Sequence, residues 1–402
     1  MSITHSLEGP QSPEMSTLIP KSQPWPVFLI VVAATLSLGR DSGLPLNNGP
    51  QVNLSLSADQ RSRDSARKLS PPDSLTGITL ILNQEDSPDV FQDDLELASN
   101  MGFTWIQIQY MTFTVDHSAH SFPVFDRRTP SFSRLAQSIR QCKDKGLQVS
   151  LHPVLLIQNE KSQHWRGEYS PLYLDKWWAS YSKWMISIAT FCANEDVDML
   201  FVGSELSSLQ NLEKYWSSLI ENVRSVYRGA VSYSANWDDW NSVSFHNDLD
   251  ILGINGYFPL ERIGSESESF NASAHINSAH VSSAHVSSAY LRSMLLPHLS
   301  ALKLWSRENQ TAIFFSEVGY PDHSLALQQP WNPGTPNSRY QPELQVEGYR
   351  AFLDVFGDAD FSKGIFFYAI HQHEHRDLNG YTPQQGKSRE ALIEYLNERR
   401  SL

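Results

Sequence analysis

Cysteine is nearly missing from this chain: Cys142 and Cys192 are the only two in 402 residues. No disulfide framework can therefore hold the fold. Both fall in segments with helical periodicity that would be neighbours in the architecture argued below. One bridge is open to them; two buried thiols are the expectation. Basic residues are also short. With 31 Lys and Arg against 44 Asp and Glu, the formal net charge is −13. That argues against a nucleic-acid partner, which wants a basic face, and fits a neutral substrate. Long hydrophobic runs are scarce as well. The stretch VFLIVVAATL, residues 27–36, is shorter than the roughly 20 residues that a spanning helix needs.

That stretch suits the core of a signal peptide. Starting at Met15 gives a short leading region with Lys21, and Ser37-Leu38-Gly39 ends in small residues, as a cleavage site should. The expectation is export, with 1–39 as signal peptide; the alternative is an uncleaved anchor tethering the chain through residues 25–39. Residues 40–74 are rich in Ser, Asp, Asn and Pro and read as a flexible linker. From 75 to 402 the texture is globular.

In that region short apolar runs alternate with stretches of helical period. The predicted strands are 77–82, 105–109, 147–152, 197–203, 230–235, 249–255, 311–317 and 363–370. The predicted helices lie near 89–101, 131–145, 173–194, 211–227, 237–246, 288–307, 343–356 and 387–399. Eight βα units in strict alternation imply a parallel sheet, and their span matches a closed (β/α)8 TIM barrel. An open doubly wound sheet would announce itself by a Gly-rich turn after its first strand; here that turn is NQEDSPD, without glycine.

Two histidine patterns invite a metal reading. A five-residue repeat, SAHxx, places His275, His280 and His285 in an insertion at about 263–288. A five-residue step drifts around a helix, so low complexity is the preferred reading. The run HQHEH, His371–His375, follows the eighth strand. No matching ligand cluster occurs elsewhere, so no metal and no cofactor is expected, and the run reads as a loop or a substrate contact.

The chemistry is carried by two strand ends. Glu205 ends the motif VGSE after the fourth strand, and Glu317 lies in FFSEVG at the seventh. Active sites of such barrels lie at the C-terminal ends of the strands, so the two carboxyls can face each other across the mouth. A partly desolvated carboxylate pair is costly, and each raises the other's pKa. Glycoside hydrolysis uses that arrangement: one carboxylic acid and one carboxylate flanking the scissile bond. The bland alternative is that each glutamate is tied to an Arg or Lys. No basic residue lies within the neighbouring strand-end motifs; a tight arginine bridge to either carboxyl, or carboxyls too far apart to flank one glycosidic linkage, would overturn the reading.

In strand order, LHPVLL, xGSE, SANWDDW, ILGINGYFPL, FxSExG and GIFFYAIH resemble the clan A retaining glycoside hydrolases, and most nearly the β-mannanase-like glycoside hydrolase family 113. The resemblance covers residues 77–399. It implies Glu205 as general acid/base, Glu317 as nucleophile, and a β-linked polysaccharide or oligosaccharide as substrate. It departs from the clan pattern at Ser204, where Asn is common, and this leaves the contact to the neighbouring sugar hydroxyl to another residue or to water.

Other strand-end residues complete a candidate sugar site. His152 is either a packed core histidine or a substrate contact. Asn236 and Trp237 follow the fifth strand, Trp237 as a pyranose platform and Asn236 as a polar contact or a helix cap. Tyr257 is placed to hydrogen-bond the nucleophile, and Tyr368 to floor the central sugar. Trp165 and Trp331, in loops, could extend the cleft, with one of them expected to serve; Trp165 is included. Most of the 11 Trp are expected in the core. The leading reading is an exported endo-β-1,4-mannanase. The alternatives are a clan A hydrolase of another β-glycan, a non-catalytic carbohydrate-binding barrel, and a metal-dependent hydrolase.

Overall fold

The computed structural model describes residues 69–72, 74–159, 164–261, 287–334, 338–371, 380–383 and 386–400. Residues 1–39, expected above to be a signal peptide or anchor, most of the expected linker, the SAHxx repeat and the histidines beyond His371 lie outside the described residues. Among the described residues, no helix is long and apolar enough to cross a membrane.

Eight strands form a closed barrel in sequence order, β1 (Leu75–Leu82), β2 (Trp105–Thr114), β3 (Gln148–Ile157), β4 (Met199–Ser204), β5 (Ala230–Asn236), β6 (Ile251–Asn255), β7 (Ile313–Val318) and β8 (Ser362–Ile370). Every neighbouring pair is parallel, with β8 closing on β1. The helices are α1 (Pro88–Met101), α2 (Phe132–Asp144), α3 (Leu174–Asn194), α4 (Glu213–Val226), α5 (Ser288–Asn309), α6 (Pro342–Phe356) and α7 (Lys387–Arg400). Local signals set their starts. Ser131 caps α2 by accepting from Arg134 N, and Ser87 with Pro88 opens α1.

Two expectations are corrected. The helix expected at 237–246 is absent; two 3-10 turns, Trp240–Ser242 and His246–Asp248, stand there. Polar side chains compete with the helix ladder: Ser242 Oγ donates to Asp239 Oδ1 at 2.7 Å, and Gln210 Nε2 donates to the Asp239 carbonyl at 2.7 Å. Strands β2 and β3 also run past their expected ends, pairing to Thr114 and Ile157, so His152 sits inside β3 and does not end it. Ahead of β1, Leu69 N donates to Asp250 Oδ1 at 2.6 Å, so Leu69 touches the barrel.

The barrel interior has two halves. Leu75, Trp105, Met199, Phe201, Ile251, Phe314 and Phe366 form an apolar plug. Phe201 on β4 and Phe314 on β7 are not sheet neighbours, yet their rings lie 6.1 Å apart, so they meet across the bore. Further along the barrel strands buried residues turn polar: Gln107, Ser150, His152, Ser234, Asn255 and Ser316. Outward-facing Ile, Val and Leu pack against the helices. Hydrophobic burial thus closes the N-terminal half, and the C-terminal half is left for chemistry. Cys142 and Cys192 are free, buried thiols, and Trp105, Trp177, Trp178, Trp184 and Trp216 are core.

Candidate active site

Glu205 follows β4 directly. Its backbone adopts φ 53°, a region that a residue with a Cβ enters only at a cost of about 1–3 kcal/mol. Two bonds hold it there: Glu205 N donates to the Ser234 carbonyl at 2.8 Å, and Leu206 N to Tyr233 Oη at 2.8 Å. Gly203 makes the approach possible. A Cβ there would lie 2.9 Å from both Trp216 and Tyr233. The strained backbone aims the Glu205 carboxyl into the mouth, where it is 2% exposed.

Both oxygens of Glu205 are engaged. Asn255 Nδ2, at the end of β6, donates to Oε1 at 2.6 Å. Asn255 is itself fixed, its Oδ1 accepting from Ser234 Oγ at 2.6 Å and Ser316 Oγ at 3.0 Å. The other oxygen, Oε2, is 2.5 Å from Arg166 Nη2. This tight arginine bridge is the outcome set against the two-glutamate reading, so the roles of the pair rest on the proposal below and not on this geometry alone; it also corrects the expectation that no basic residue reaches the pair. Arg166 arrives from the loop after β3, outside every strand-end motif.

Glu317 lies on β7 and pairs in register with Asn255. Tyr257 Oη donates to its Oε2 at 2.8 Å. His152 Nδ1 lies 3.5 Å from Oε1. That contact is not an ion pair, because burial, aided by the Arg166 charge, pushes the imidazole down to about 3 and keeps it neutral. Burial, and then the Glu205 charge, push Glu317 up to about 8, against the pull of Arg166 and the Tyr257 hydrogen bond. Arg166 bridges Glu205 alone, and burial with the Glu205 charge favours the protonated form of Glu317.

Tyr368 and Tyr381 complete an aromatic wall beside Tyr257, with ring centroids 5.2 to 6.3 Å apart. Burial, above all, raises the pKa of all three hydroxyls, so they act as neutral donors. Asn236 and Ser204 are buried, and Asn236 Oδ1 and Ser204 Oγ make no hydrogen bond among the described residues. The capping alternative for Asn236 falls with the missing helix. Trp237 is stacked on Trp331 at 5.7 Å and 16°, so one of its faces is covered and the two indoles form a single unit at the rim. The Trp165 ring packs over Gly167. Asn255, Arg166 and Tyr381 went unrecognised in the sequence. Asn255 was within reach of the strand-end rule, as the polar residue closing ILGIN; Arg166 and Tyr381 carried no such signal. Among the described residues, no group of three His, Cys, Asp or Glu could hold a metal ion.

A closed (β/α)8 barrel with two buried glutamates meeting at its C-terminal mouth defines a barrel enzyme with a paired-carboxyl site. Residues 87–384 match the sequence profile of Glycoside Hydrolase Family 113. The chain belongs to that family and is a glycoside hydrolase. No curated protein matches the sequence. The fold is similar to that of a family 113 β-mannanase from Alicyclobacillus acidocaldarius solved with ManMIm, at TM-score 0.67 and 18% identity over 81% of this chain and 98% of that one. A family 113 β-1,4-mannanase matches at TM-score 0.68 and 16% identity, over 82% of this chain and 100% of the other. More distant is an endo-β-1,4-mannanase from Thermotoga petrophila, at TM-score 0.53 and 12% identity, over 81% and 77%.

Proposed function

We propose that the protein is a retaining β-1,4-mannanase in which Glu317 is the nucleophile and Glu205 the general acid/base. The single observation that carries the mechanism is the pair of buried carboxyls, Glu205 after β4 and Glu317 on β7, held at one mouth with opposite partners. Substrate choice rests on the family and on neighbours described as β-mannanases.

In the first step a Glu317 oxygen bonds to the anomeric carbon while the bond to the leaving oxygen breaks, and Glu205 gives that oxygen its proton. In the second, Glu205 takes a proton from water, and the water oxygen displaces Glu317, restoring the original anomeric configuration. Tyr257 orients Glu317 and stabilises it as it departs. Asn236, Ser204, His152 and Tyr368 are the polar contacts proposed for the central sugar. Trp237 and Trp165 are the stacking surfaces proposed for its neighbours. The apolar stretch 27–36 supports export, by a cleaved signal or a retained tether, as part of the same reading.

One observation favours a second assignment. Arg166 pairs with Glu205, and burial favours the protonated form of Glu317, the reverse of what the first step requires; exchanged roles would fit that arrangement. A 2-deoxy-2-fluoro-β-mannosyl fluoride decides between them by trapping the glycosyl ester for peptide mass mapping. Label on Glu317 is expected, and label on Glu205 would exchange the roles. Mannan, cellulose and xylan assayed together should yield sized products from mannan. No label on either glutamate and no product from any glycan would overturn the proposal.

A further inference from the structure

Building on that reading, the crowding around Glu205 has a consequence for how the reaction starts. A general acid must come within about 2.6–3.2 Å of the oxygen it protonates. The leaving oxygen therefore needs one oxygen of Glu205, and both are taken. Asn255 cannot yield Oε1, since it is fully buried and locked by two serine hydroxyls. Arg166 can yield Oε2. Its side chain is 19% exposed, and among the described residues its Nε makes no hydrogen bond.

The Arg166 backbone, by contrast, is firmly placed. It opens the short 3-10 turn Arg166–Glu168. The adjoining Gly167 carbonyl accepts from Ser208 N at 2.9 Å, and the Tyr169 carbonyl accepts from Ser208 Oγ at 2.7 Å. These bonds tie the turn to the segment just after Glu205. The Trp165 ring covers Gly167 so closely that no side chain fits at that position. The anchored backbone keeps the guanidinium in the mouth, and the flexible stem lets it swing.

We infer that Arg166 is a positioning residue that covers the leaving-group side of Glu205 until a sugar seated there displaces it, so that glycan binding and protonation of the acid/base are coupled. The proton balance is internal. As Arg166 leaves Oε2, an O–H bond breaks at Glu317 and one forms at Glu205. The total charge is unchanged, and no other reactant is needed. The displaced guanidinium stays near Glu317, whose ionised form it favours.

The other groups facing Arg166 do not supply that proton in its place. His152 is neutral. Tyr169, Tyr257 and Tyr368 are held well above their usual range by burial first. Burial disfavours the charge on Arg166 itself, yet Glu205 and then Glu317 more than offset this, and its pKa is raised. It therefore stays a cation throughout.

The test uses full-length protein labelled with 13C at the glutamate carboxyl carbons, and a thio-linked mannotetraose that binds without being cleaved. Glu205→Gln and Glu317→Gln assign the two resonances. In the wild type the sugar is expected to raise the pH midpoint of the Glu205 carbon by at least one unit and to lower that of Glu317. In Arg166→Met, checked for folding by its thermal melt, the Glu205 midpoint should already be raised and should not move further with sugar. Arg166→Lys should retain the sugar-dependent shift in part. If Arg166→Met does not fold, the wild-type and Arg166→Lys titrations decide the matter alone. A Glu205 midpoint unmoved by bound sugar overturns the inference and leaves the mannanase reading standing if the fluorosugar still labels Glu317. Failure of both binding and labelling removes the two together.

Discussion

Replacing Glu317 by Gln should make the protein more stable, and only at high pH. Gln keeps the shape and can still accept from Tyr257, but it cannot ionise. Burial and the Glu205 charge push the carboxyl up to about 8 from an ordinary value of 4.5. For an acid whose folded pKa is raised, the stabilising form is the protonated one. Its contribution is complete below 4.5 and is lost as pH climbs through 8. Integrated over that interval the loss is at most on the order of 5 kcal/mol. Wild type and Glu317→Gln should therefore unfold at the same denaturant concentration at pH 4.5. Between pH 5 and 9 the curves should separate, with the variant gaining several kcal/mol. Glu205→Gln should behave in the opposite sense. It removes the carboxylate that Arg166 bridges, and because that guanidinium is part-exposed and Glu317 lies near it, the cost should stay below the roughly 3–5 kcal/mol of a fully buried pair. Urea titrations at half-unit pH steps measure both. A stability difference for Glu317→Gln that is flat with pH would refute the assignment of the surplus proton to that residue.

Tyr257→Phe removes the 2.8 Å donor to Glu317. A hydrogen bond to a charged acceptor is worth about 1.5–3 kcal/mol, so kcat/KM should fall roughly 10- to 150-fold. The alkaline limb of its pH profile should move above 8, because that bond holds the acid down; an unmoved limb would argue against the contact. Gly203→Ala forces a methyl against Trp216 and Tyr233. It should lower stability by about 1–3 kcal/mol and depress kcat more than KM, as Tyr233 anchors Leu206 beside Glu205; a melt with steady-state kinetics checks this. At the opposite end of the barrel, Arg224 Nη2 meets the buried Asp250 at 2.9 Å. Arg224→Met should cost about 3–5 kcal/mol in urea unfolding without changing KM.

The barrel was legible because its signal repeats. Each apolar run is covered on both faces, and β-branched and aromatic residues mark it off from the amphipathic helices. Glu205 and Glu317 were legible because strand-end position translates directly into a place at the mouth. The helix expected at 237–246 failed where Asp239, Ser242 and Gln210 offer the backbone better partners than a helix would. Arg166 was invisible for a different reason. Its partner is 39 residues away in sequence, and the link exists only because Ser208 ties one loop to the next. Trp237 was read as a lone platform because nothing in a sequence announces that a tryptophan from another loop, Trp331, will lie flat against it.

The glutamates and the arginine belong to one electrostatic problem. Two carboxyls at the end of an apolar plug would each be protonated if left alone, and a protonated pair contains no nucleophile. Two cations would ionise both and leave no acid. Among the described residues one guanidinium, that of Arg166, reaches the pair, and under the proposed coupling the proton changes places without changing the total charge. The strain at Glu205, φ 53° on a residue with a side chain, fits the same logic. It turns the carboxyl towards a cation that, in a purely structural ion pair, would have been met more cheaply by relaxed backbone.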